Sequence, residues 1–390
     1  MKILAVIGSV EPRVGGPTYS ATNILVAATR AGLSVSAAIG ARLPPSPDVA
    51  ARLADLEAQR VAVHCFPLHR GGAGVAGRWG ISLDLAGWVF RYAGRYDLVQ
   101  THGSWTFSTV LAVMAAKLWR RRVILVPHET LTRFDRDKST NGLKRSLKGL
   151  IRRFLLWAVD DIIFSSTLER RDSFAVGEAV RGVVLYHPVF DGQTARQRDP
   201  LAANDGAIRV GFLGRLDPKK NIELLLEAIA PIHELSLLIA GDGPASYRTR
   251  LEQKVSELGL ASRVVWLGFI SSAERAGFFD GIDLLAMPSA YECFGMASAE
   301  ALCQAVPVVV SDQTGIAELV ARHHAGLVIV PTAAALTAAL LQVRDDARLR
   351  HCLSEGAARL AEAELSIGSY GAKLAEIYRR VISVGQNGDV

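Results

Sequence analysis

Cysteine is scarce and scattered. The four cysteines, Cys65, Cys293, Cys303 and Cys352, show no C-x-x-C pair and no zinc spacing, so reduced thiols in a cytoplasmic protein are the simplest account. Long apolar runs are missing as well. The N-terminal run from Ile3 to Val10 is short, has Lys2 as its lone flanking charge, and reads as a first strand rather than a secretory signal. The most apolar later stretch, Phe154 to Phe164, is bounded by Arg152-Arg153 and interrupted by Asp160-Asp161, which argues against a membrane span. No internal repeat or low-complexity tract stands out. Gly15-Gly16-Pro17 follows the first strand and can turn backbone amides toward a phosphate or an acceptor, yet its spacing does not give G-x-G-x-x-G. That weakens a dinucleotide oxidoreductase reading.

What is present describes a globular protein with an ample core. Of 390 residues, 50% are hydrophobic and 21% charged. A chain of that length exceeds what one core usually holds, so two domains are expected. The net charge of +6 is unevenly spread: Met1 to Asp199 carries 27 Lys+Arg against 16 Asp+Glu, and the remainder 17 against 22. A basic first half points toward nucleic acid, anionic lipid or a phosphorylated substrate.

Short β-branched or aliphatic runs alternate with longer amphipathic ones, the pattern of parallel sheets covered on both faces. In the first half, strands are expected at Ile3–Ile7, Val35–Ile39, Val61–Phe66, Leu98–Thr101, Val123–Val126, Ile162–Ser165 and Val183–Leu185. Helices are expected at Thr18–Arg30, Trp105–Arg120 and Leu143–Val159. The alternation restarts after the polar break Asp191 to Gly206, with strands at Arg209–Leu213, Leu237–Ala240, Val264–Leu267, Asp283–Met287, Val308–Val310 and Leu327–Val330. Three helices close the chain, Ala333–Val343, Ala347–Ala363 and Ser369–Val384. Two doubly wound α/β domains joined near residue 200 follow, with the cleft between them as the default site.

The motifs cluster at strand ends. Glu292 and Glu300 form an E-x7-E pair around Phe294-Gly295, where a strand gives way to a helix. Unpaired N–H groups and the helix dipole favour an anion there, and Gly295 lets backbone come close to it. Carboxylates beside such a hole suit hydroxyls, as on a sugar or ribose; two solvated glutamates on an ordinary turn are the plainer alternative. Arg215 and Lys220 bracket the entrance of the next helix in Gly214-Arg215-Leu216-Asp217-Pro218-Lys219-Lys220, and two cations so placed suit a diphosphate. A capped, solvated turn is the alternative. Ala240-Gly241-Asp242-Gly243-Pro244 reads as a turn with Asp242 as an N-cap.

Together these segments resemble family 4 of the retaining nucleotide-sugar glycosyltransferases, which have the GT-B fold. The resemblance rests on Gly214-Arg215-Leu216 with Lys220, Ala240 to Pro244, Pro288 to Gly295, Glu292 with Glu300, Pro307-Val308-Val309, and Gly315 to Glu318, in family order. It implies an α/β chain of two Rossmann-like domains facing a cleft: an acceptor domain over 1–195, a donor domain over 205–365, and a helix in 366–390 packing back on the first. It implies that Arg215 and Lys220 hold the donor diphosphate, that Glu300 accepts from the ribose hydroxyls, and that Glu292 contacts the transferred sugar. The amides of Phe294, Gly295 and Met296 would line the sugar and phosphate pocket, with Gly15 and Gly16 across from them. Two departures stand out. Gln304-Ala305 replaces a common Cys-Gly pair, a change of packing, and Thr314 replaces a second glycine before Gly315, a change in how backbone approaches the donor.

In the first domain His102 ends a strand, and His102-Gly103-Ser104-Trp105 resembles the H-G-x-W of exopolysaccharide-assembling members, in which the histidine lies near the donor sugar. Taken alone, a strand-end histidine is more often structural. Pro127-His128-Glu129 closes the next strand, and the loop from Thr130 to Asn141 is long enough to shape an acceptor site, with Glu129 and His128 on the acceptor side. Asp135-Arg136-Asp137 imitates a metal-binding D-x-D but reads as solvated charge. Lys138, Lys144, Arg145, Lys148, Arg152 and Arg153 interleave with Leu143, Leu147, Leu150, Ile151 and Phe154 in a basic amphipathic stretch, either a helix lying on anionic membrane or a solvated face. The resemblance implies a metal-independent transfer of a hexose from a UDP- or GDP-linked donor to a glycan or lipid-linked glycan, with no cofactor and no nucleic acid, in the cytoplasm or at the inner face of the cell membrane. An epimerase of similar fold and a non-catalytic sugar-nucleotide or nucleic-acid binder are the competing expectations.

Overall fold

The computed structural model describes residues 1–11, 16–68, 81–137, 142–174, 182–192 and 208–386. The chain divides into two compact units, Met1–Pro188 with Ile367–Val390, and Val189–Ser366. Each is built on one parallel sheet with helices between successive strands.

The first sheet holds β1 (Lys2–Ile7), β2 (Ser34–Ala41), β3 (Ala62–Pro67), β4 (Leu98–His102), β5 (Arg122–Val126), β6 (Asp161–Phe164) and β7 (Val183–Val184). Their order is β3-β2-β1-β4-β5-β6-β7, and every pairing is parallel. The second holds β8 (Ile208–Leu213), β9 (Leu235–Ala240), β10 (Val264–Gly268), β11 (Leu284–Met287), β12 (Val308–Ser311) and β13 (Gly326–Ile329), ordered β10-β9-β8-β11-β12-β13. All thirteen expected strands are present within a few residues of their expected limits. The apolar runs of the central strands β1, β4, β5, β8, β11 and β12 are buried on both faces, as a sheet between two helical layers requires, while the edge strands β3, β7, β10 and β13 are partly exposed.

Strand order decides where ligands go. In each sheet the chain winds outward on one side of the first strand and then returns to its other side, so the order reverses between β1 and β4 and between β8 and β11. Open α/β sheets bind ligands at the carboxyl ends flanking such a reversal. His102 ends β4, whose residue partners Ile7 of β1 and Val126 of β5. Arg215 follows β8, and Glu292 follows β11, its neighbour.

Packing fixes these ends. The helix Ile222–Ile229 buries Ile222, Leu225, Leu226, Ala228 and Ile229, and each large aliphatic side chain among them contributes about 1.5–3 kcal/mol as an upper estimate. That anchors the turn carrying Lys220. The last helix, Ile367–Gln386, places Tyr370, Leu374, Tyr378 and Val381 on one stripe, in the same core as Ile24, Leu25 and Ala28 of the helix Gly16–Arg30. Arg380 adds a hydrogen bond to the buried Asp161 carboxylate at 2.7 Å. The C-terminal helix is thereby part of the first unit's core.

Candidate functional site

In the second unit the ends of β8 and β11 are stitched together. After Leu213 the chain turns through Gly214-Arg215-Leu216 into a 3-10 turn, Pro218–Lys220, whose N-cap Asp217 accepts from the Lys219 amide at 3.0 Å. Asn221 sits at φ +54°, and its side-chain amide donates to the Pro288 carbonyl at 2.9 Å. The Ala290 amide donates to the Lys219 carbonyl at 2.8 Å. These bonds bring the Lys220 ammonium onto the Glu292 carboxylate, which also accepts from Ser289 Oγ at 3.1 Å. Burial pushes the Glu292 carboxyl up, but the Lys220 and Lys219 charges and the hydrogen bonds from Lys220 and Ser289 outweigh it and hold it below the usual carboxylate range. The two side chains form an ion pair largely out of water. Arg215 is more loosely held, its side chain 53% exposed and 3.7 Å from Asp217.

The helix Met296–Cys303 opens after Gly295 with no side-chain cap. Gly295 has φ +106°, and a Cβ there would stand 2.8 Å from Thr314 Cγ2, so a larger residue would be strained twice over. Thr314 is buried and bonded to Ser311 Oγ at 3.0 Å, so its side chain fills the space beside Gly295 that a glycine would leave open. The Phe294 ring is core, while its carbonyl accepts from the Ile316 amide at 2.8 Å; Met296 is half-buried at the helix start. Arg275 Nη1 reaches both oxygens of Glu300, at 2.7 and 2.6 Å, and fixes that carboxylate.

The Ala240–Pro244 turn departs from expectation. Pro244, not Asp242, stands at the N-cap of the helix Ala245–Glu257, and Asp242 instead accepts from its neighbour Gly243 at 2.7 Å. The glycine at 241 is there for close approach: a Cβ would fall 1.8 Å from the Gly214 carbonyl oxygen. This turn therefore backs the one that carries Arg215.

In the first unit a buried polar chain lies at the ends of β4 and β5. Tyr378 donates to the Gln100 side-chain Oε1, and Gln100 Nε2 lies 2.8 Å from His102 Nε2. His102 Nδ1 lies 3.0 Å from His128 Nε2, and His128 Nδ1 lies 3.4 Å from Ser20 Oγ, which donates to the Pro17 carbonyl at 3.2 Å. One proton arrangement satisfies the whole chain, with each ring neutral and carrying its hydrogen on Nδ1. The His187 ring lies tilted against His128, 5.2 Å between ring centroids. Burial holds all three imidazoles down, His128 to about 4, and the neighbouring rings lower His102 and His187 further. His102 and His128 are thus brought together, but the ring nitrogens of His102 are committed to protein partners.

His128 and Glu129 both have positive φ, +49° and +75°, and this strained turn is held from below by the buried Glu169 carboxylate. It accepts from the Glu129 amide at 2.5 Å and from the Ser165 amide and hydroxyl at 2.7 Å. Burial pushes the Glu169 carboxyl up despite those bonds. Gly16 opens the helix Gly16–Arg30, whereas Gly15 lies outside the described residues. Asp135 is not free solvated charge: it accepts from Trp105 Nε1 at 2.8 Å and pairs with Lys148 at 2.9 Å.

Reading from sequence missed Arg275, Ser289, Gln100, Ser20, His187, Glu169 and Tyr378. His187 alone had a local signal, since it follows β7 much as His102 and His128 close β4 and β5.

Comparison with known proteins places the chain in a family. The Glycosyl transferase 4-like domain family matches residues 15–188, and the Glycosyl transferases group 1 family matches residues 193–360. The alpha-D-kanosaminyltransferase of Streptomyces kanamyceticus is 31% identical over 196 residues, 49% of this chain and 50% of that protein, so the chain spans half the length of this relative. The D-inositol 3-phosphate glycosyltransferase of Corynebacterium efficiens is 27% identical over 299 residues, 68% of each chain. The crystal structure of Anabaena HepE in complex with UDP-glucose superposes with a TM-score of 0.74 at 22% identity, covering 97% of this chain and 100% of that one. With the two family matches spanning most of its length and the fold shared along nearly all of it, the chain belongs to the family 4-type glycosyltransferases of GT-B fold.

Proposed function

We propose that the chain is a retaining glycosyltransferase that moves a hexose from a UDP- or GDP-linked donor to a hydroxyl of a glycan, a lipid-linked surface-polysaccharide intermediate, without a metal ion. The observation that carries this reading is the meeting of Lys220 and Glu292 at the β8/β11 reversal, beside the uncapped helix Met296–Cys303 and the loosely held Arg215. A donor diphosphate would take the Lys220 ammonium from Glu292 and draw in the Arg215 guanidinium. Glu292 would then accept from the sugar hydroxyls, and Glu300, held by Arg275, from the ribose. UDP-glucose in the HepE complex supports a donor of this class.

In the transfer, the bond from the anomeric carbon to the donor phosphate oxygen breaks, and a bond to the acceptor oxygen forms on the same face. The acceptor proton passes to the departing phosphate. Arg215, Lys220 and the helix N–H groups stabilise the charge growing on that phosphate, the term that usually dominates catalysis. His102, committed on both ring nitrogens, acts here as a positioning group. The helix Gly142–Ala158 supports the membrane side of the reading: Leu150 is 67% and Trp157 79% exposed, with Arg145 and Arg153 exposed beside them. Among the described residues no helix is long and apolar enough to cross a membrane.

The test is transfer from UDP- and GDP-hexoses to glycan acceptors, with and without chelator, with the product anomer read by NMR. An inverted product, loss of activity with chelator that a divalent ion restores, or donor turnover to an isomeric nucleotide sugar without acceptor would each overturn the corresponding part of the proposal.

A further inference from the structure

A line of hydroxyls runs to the Glu292 carboxylate from the neighbouring strand end. Ser311 closes β12, and its Oγ donates to the Ser289 carbonyl at 2.6 Å. Thr314 Oγ1 lies 3.0 Å from the same Ser311 Oγ. A serine hydroxyl carries one hydrogen, and Ser311 gives it to Ser289, so Thr314 is the donor of the second bond. Ser289 donates its own hydroxyl to Glu292 Oε1 at 3.1 Å. Backbone pairing runs beside this line. The Glu292 amide donates to the Gln313 carbonyl at 3.0 Å and the Gly315 amide to the Glu292 carbonyl at 2.9 Å, so Glu292 faces Thr314 in a one-residue parallel bridge.

The second branch of Thr314 fixes the direction of the first. A Cβ at Gly295 would stand 2.8 Å from Thr314 Cγ2, so the methyl lies against the Gly295 backbone while the hydroxyl faces Ser311. A β-branched side chain so wedged has little rotamer freedom left. Ser289, Ser311 and Thr314 are all buried, at 2% exposure or less, so a deleted hydroxyl would leave its partner unsatisfied away from bulk water.

We propose that Thr314 is a positioning residue for the transfer, its hydroxyl acting through Ser311 and Ser289 to aim the Glu292 carboxylate at the donor sugar. The inference deepens the transferase reading and rests on it for the contact of Glu292 with the sugar; the hold of Thr314 on Glu292 does not depend on that reading. The glycine expected before Gly315 would supply neither the hydroxyl nor the methyl, and would leave Glu292 to the backbone bridge and Ser289 alone.

The test compares, in the intact chain, Thr314→Val, which keeps the shape and loses the hydroxyl, with Thr314→Ser, which keeps the hydroxyl. Hexose transfer is measured with kcat and donor KM separated, and UDP and GDP binding by calorimetry. The pH titration of the Glu292 carboxyl is followed by carbon NMR in glutamate-labelled protein, its signal assigned by its absence in Glu292→Gln. Thr314→Val is expected to lower kcat about tenfold or more, a misaimed group being costly out of proportion to its displacement. Nucleoside diphosphate affinity is expected to stay equal or rise, because that ligand lacks the sugar. The Glu292 carboxyl is expected to titrate at higher pH, because a carboxylate less well placed on Ser289 and Lys220 is less favoured in its charged form. Thr314→Ser is expected to recover most of the rate and of the titration. Ser311→Ala breaks the same line one step nearer Glu292 and reports in place of Thr314→Val if the valine chain does not fold. An unshifted Glu292 carboxyl in Thr314→Val, equal losses in the valine and serine variants, or nucleoside diphosphate affinity that falls in step with transfer would overturn the proposal, the last because the whole turn has then moved rather than one carboxylate. If the wild-type chain transfers no hexose, the transferase reading fails, and the carboxyl titration alone decides whether Thr314 holds Glu292.

Discussion

At the end of the first sheet three histidines and a glutamine are buried without charge, whereas at the end of the second a lysine and a glutamate stand largely out of water as an ion pair. Both arrangements solve the same problem, polar groups out of water at a strand reversal, by different means. The first uses directional hydrogen bonds running from Tyr378 to Ser20, which need no counterion and gain nothing from an anionic ligand. The second uses a pair of opposite charges, and either partner can be traded for a ligand group of the same sign. A donor phosphate could replace Glu292 on Lys220, and the Glu292 carboxylate, which keeps the Ser289 hydroxyl, would then need hydroxyl donors from the ligand. On the proposed function, the second unit is the place where charge would change during a reaction cycle, while the strand end of the first is a neutral hydrogen-bonded network.

The sharpest way to break that comparison is to remove one partner at a time. Lys220→Met leaves Glu292 buried and unpaired, and is expected to cost about 3 kcal/mol of stability in the second unit, with transfer falling on the order of 100-fold or more. Glu292→Gln is expected to cut transfer comparably while UDP binding stays equal or tightens, because Lys220 no longer has to leave a carboxylate. Calorimetric titration with UDP checks this. If both variants lose UDP to the same degree, the pair is a structural bridge and the contrast between the two ends disappears.

Acidification reads the other side. Because burial depresses the folded pKa of His102, His128 and His187, the unfolded chain binds protons below about 6.5 that the folded chain refuses. Stability is therefore full above that pH and is lost as the pH falls toward the folded values. For His128, held near 4, the loss between pH 6.5 and 5 is about 2 kcal/mol. Glu292 is also depressed, but its contribution persists until the pH falls below the ordinary carboxylate range. Urea unfolding at pH 7 and pH 5 is expected to weaken the first unit first. His128→Asn should flatten that slope, and an unchanged slope would mean that the ring is not buried neutral.

Much of this was legible in the sequence, and the reasons differ by level. Strand positions were readable because buried parallel strands are continuous apolar runs punctuated by turns, as in Val308-Val309-Val310. Arg215 with Lys220, and Glu292 with Glu300, could be singled out in the sequence because each pair lies on one strand-end turn, its members within a dozen positions of each other. Sheet order was not, so nothing local said that β8 and β11 adjoin. For the same reason Arg275 was invisible: its partner Glu300 lies 25 residues away, and an arginine opening a short helix carries no signal of its own. Tyr378 lies 278 residues from Gln100. Asp242 was misread because Asp before Gly-Pro fits an N-cap, while the helix starts after the proline. Ala305 shows the reverse case. It takes φ +54°, the conformation the family's usual glycine adopts freely, so the swap expected to alter packing also places an alanine where backbone strain is paid.

The smallest expected effect separates the neutral network from ordinary core. Tyr370 and Tyr378 lie two turns apart on one helix, and both are buried with their phenols pushed up by that burial, far from titrating. Tyr378 donates to Gln100, whereas the Tyr370 hydroxyl has no hydrogen-bond partner among the described residues. Tyr378→Phe strands the Gln100 side-chain Oε1 and is expected to cost about 1–2 kcal/mol. Tyr370→Phe removes a buried hydroxyl that bonds to nothing and is expected to be neutral or slightly stabilising, because an unsatisfied group pays its desolvation for no return. The two urea midpoints, compared at pH 7 with UDP binding as a control, measure how much of the first unit's stability rests on the relay. Equal shifts would mean that the line from Tyr378 through the histidines is only packing, and that the neutral end of the molecule is held together by the same apolar contacts as the rest of its core.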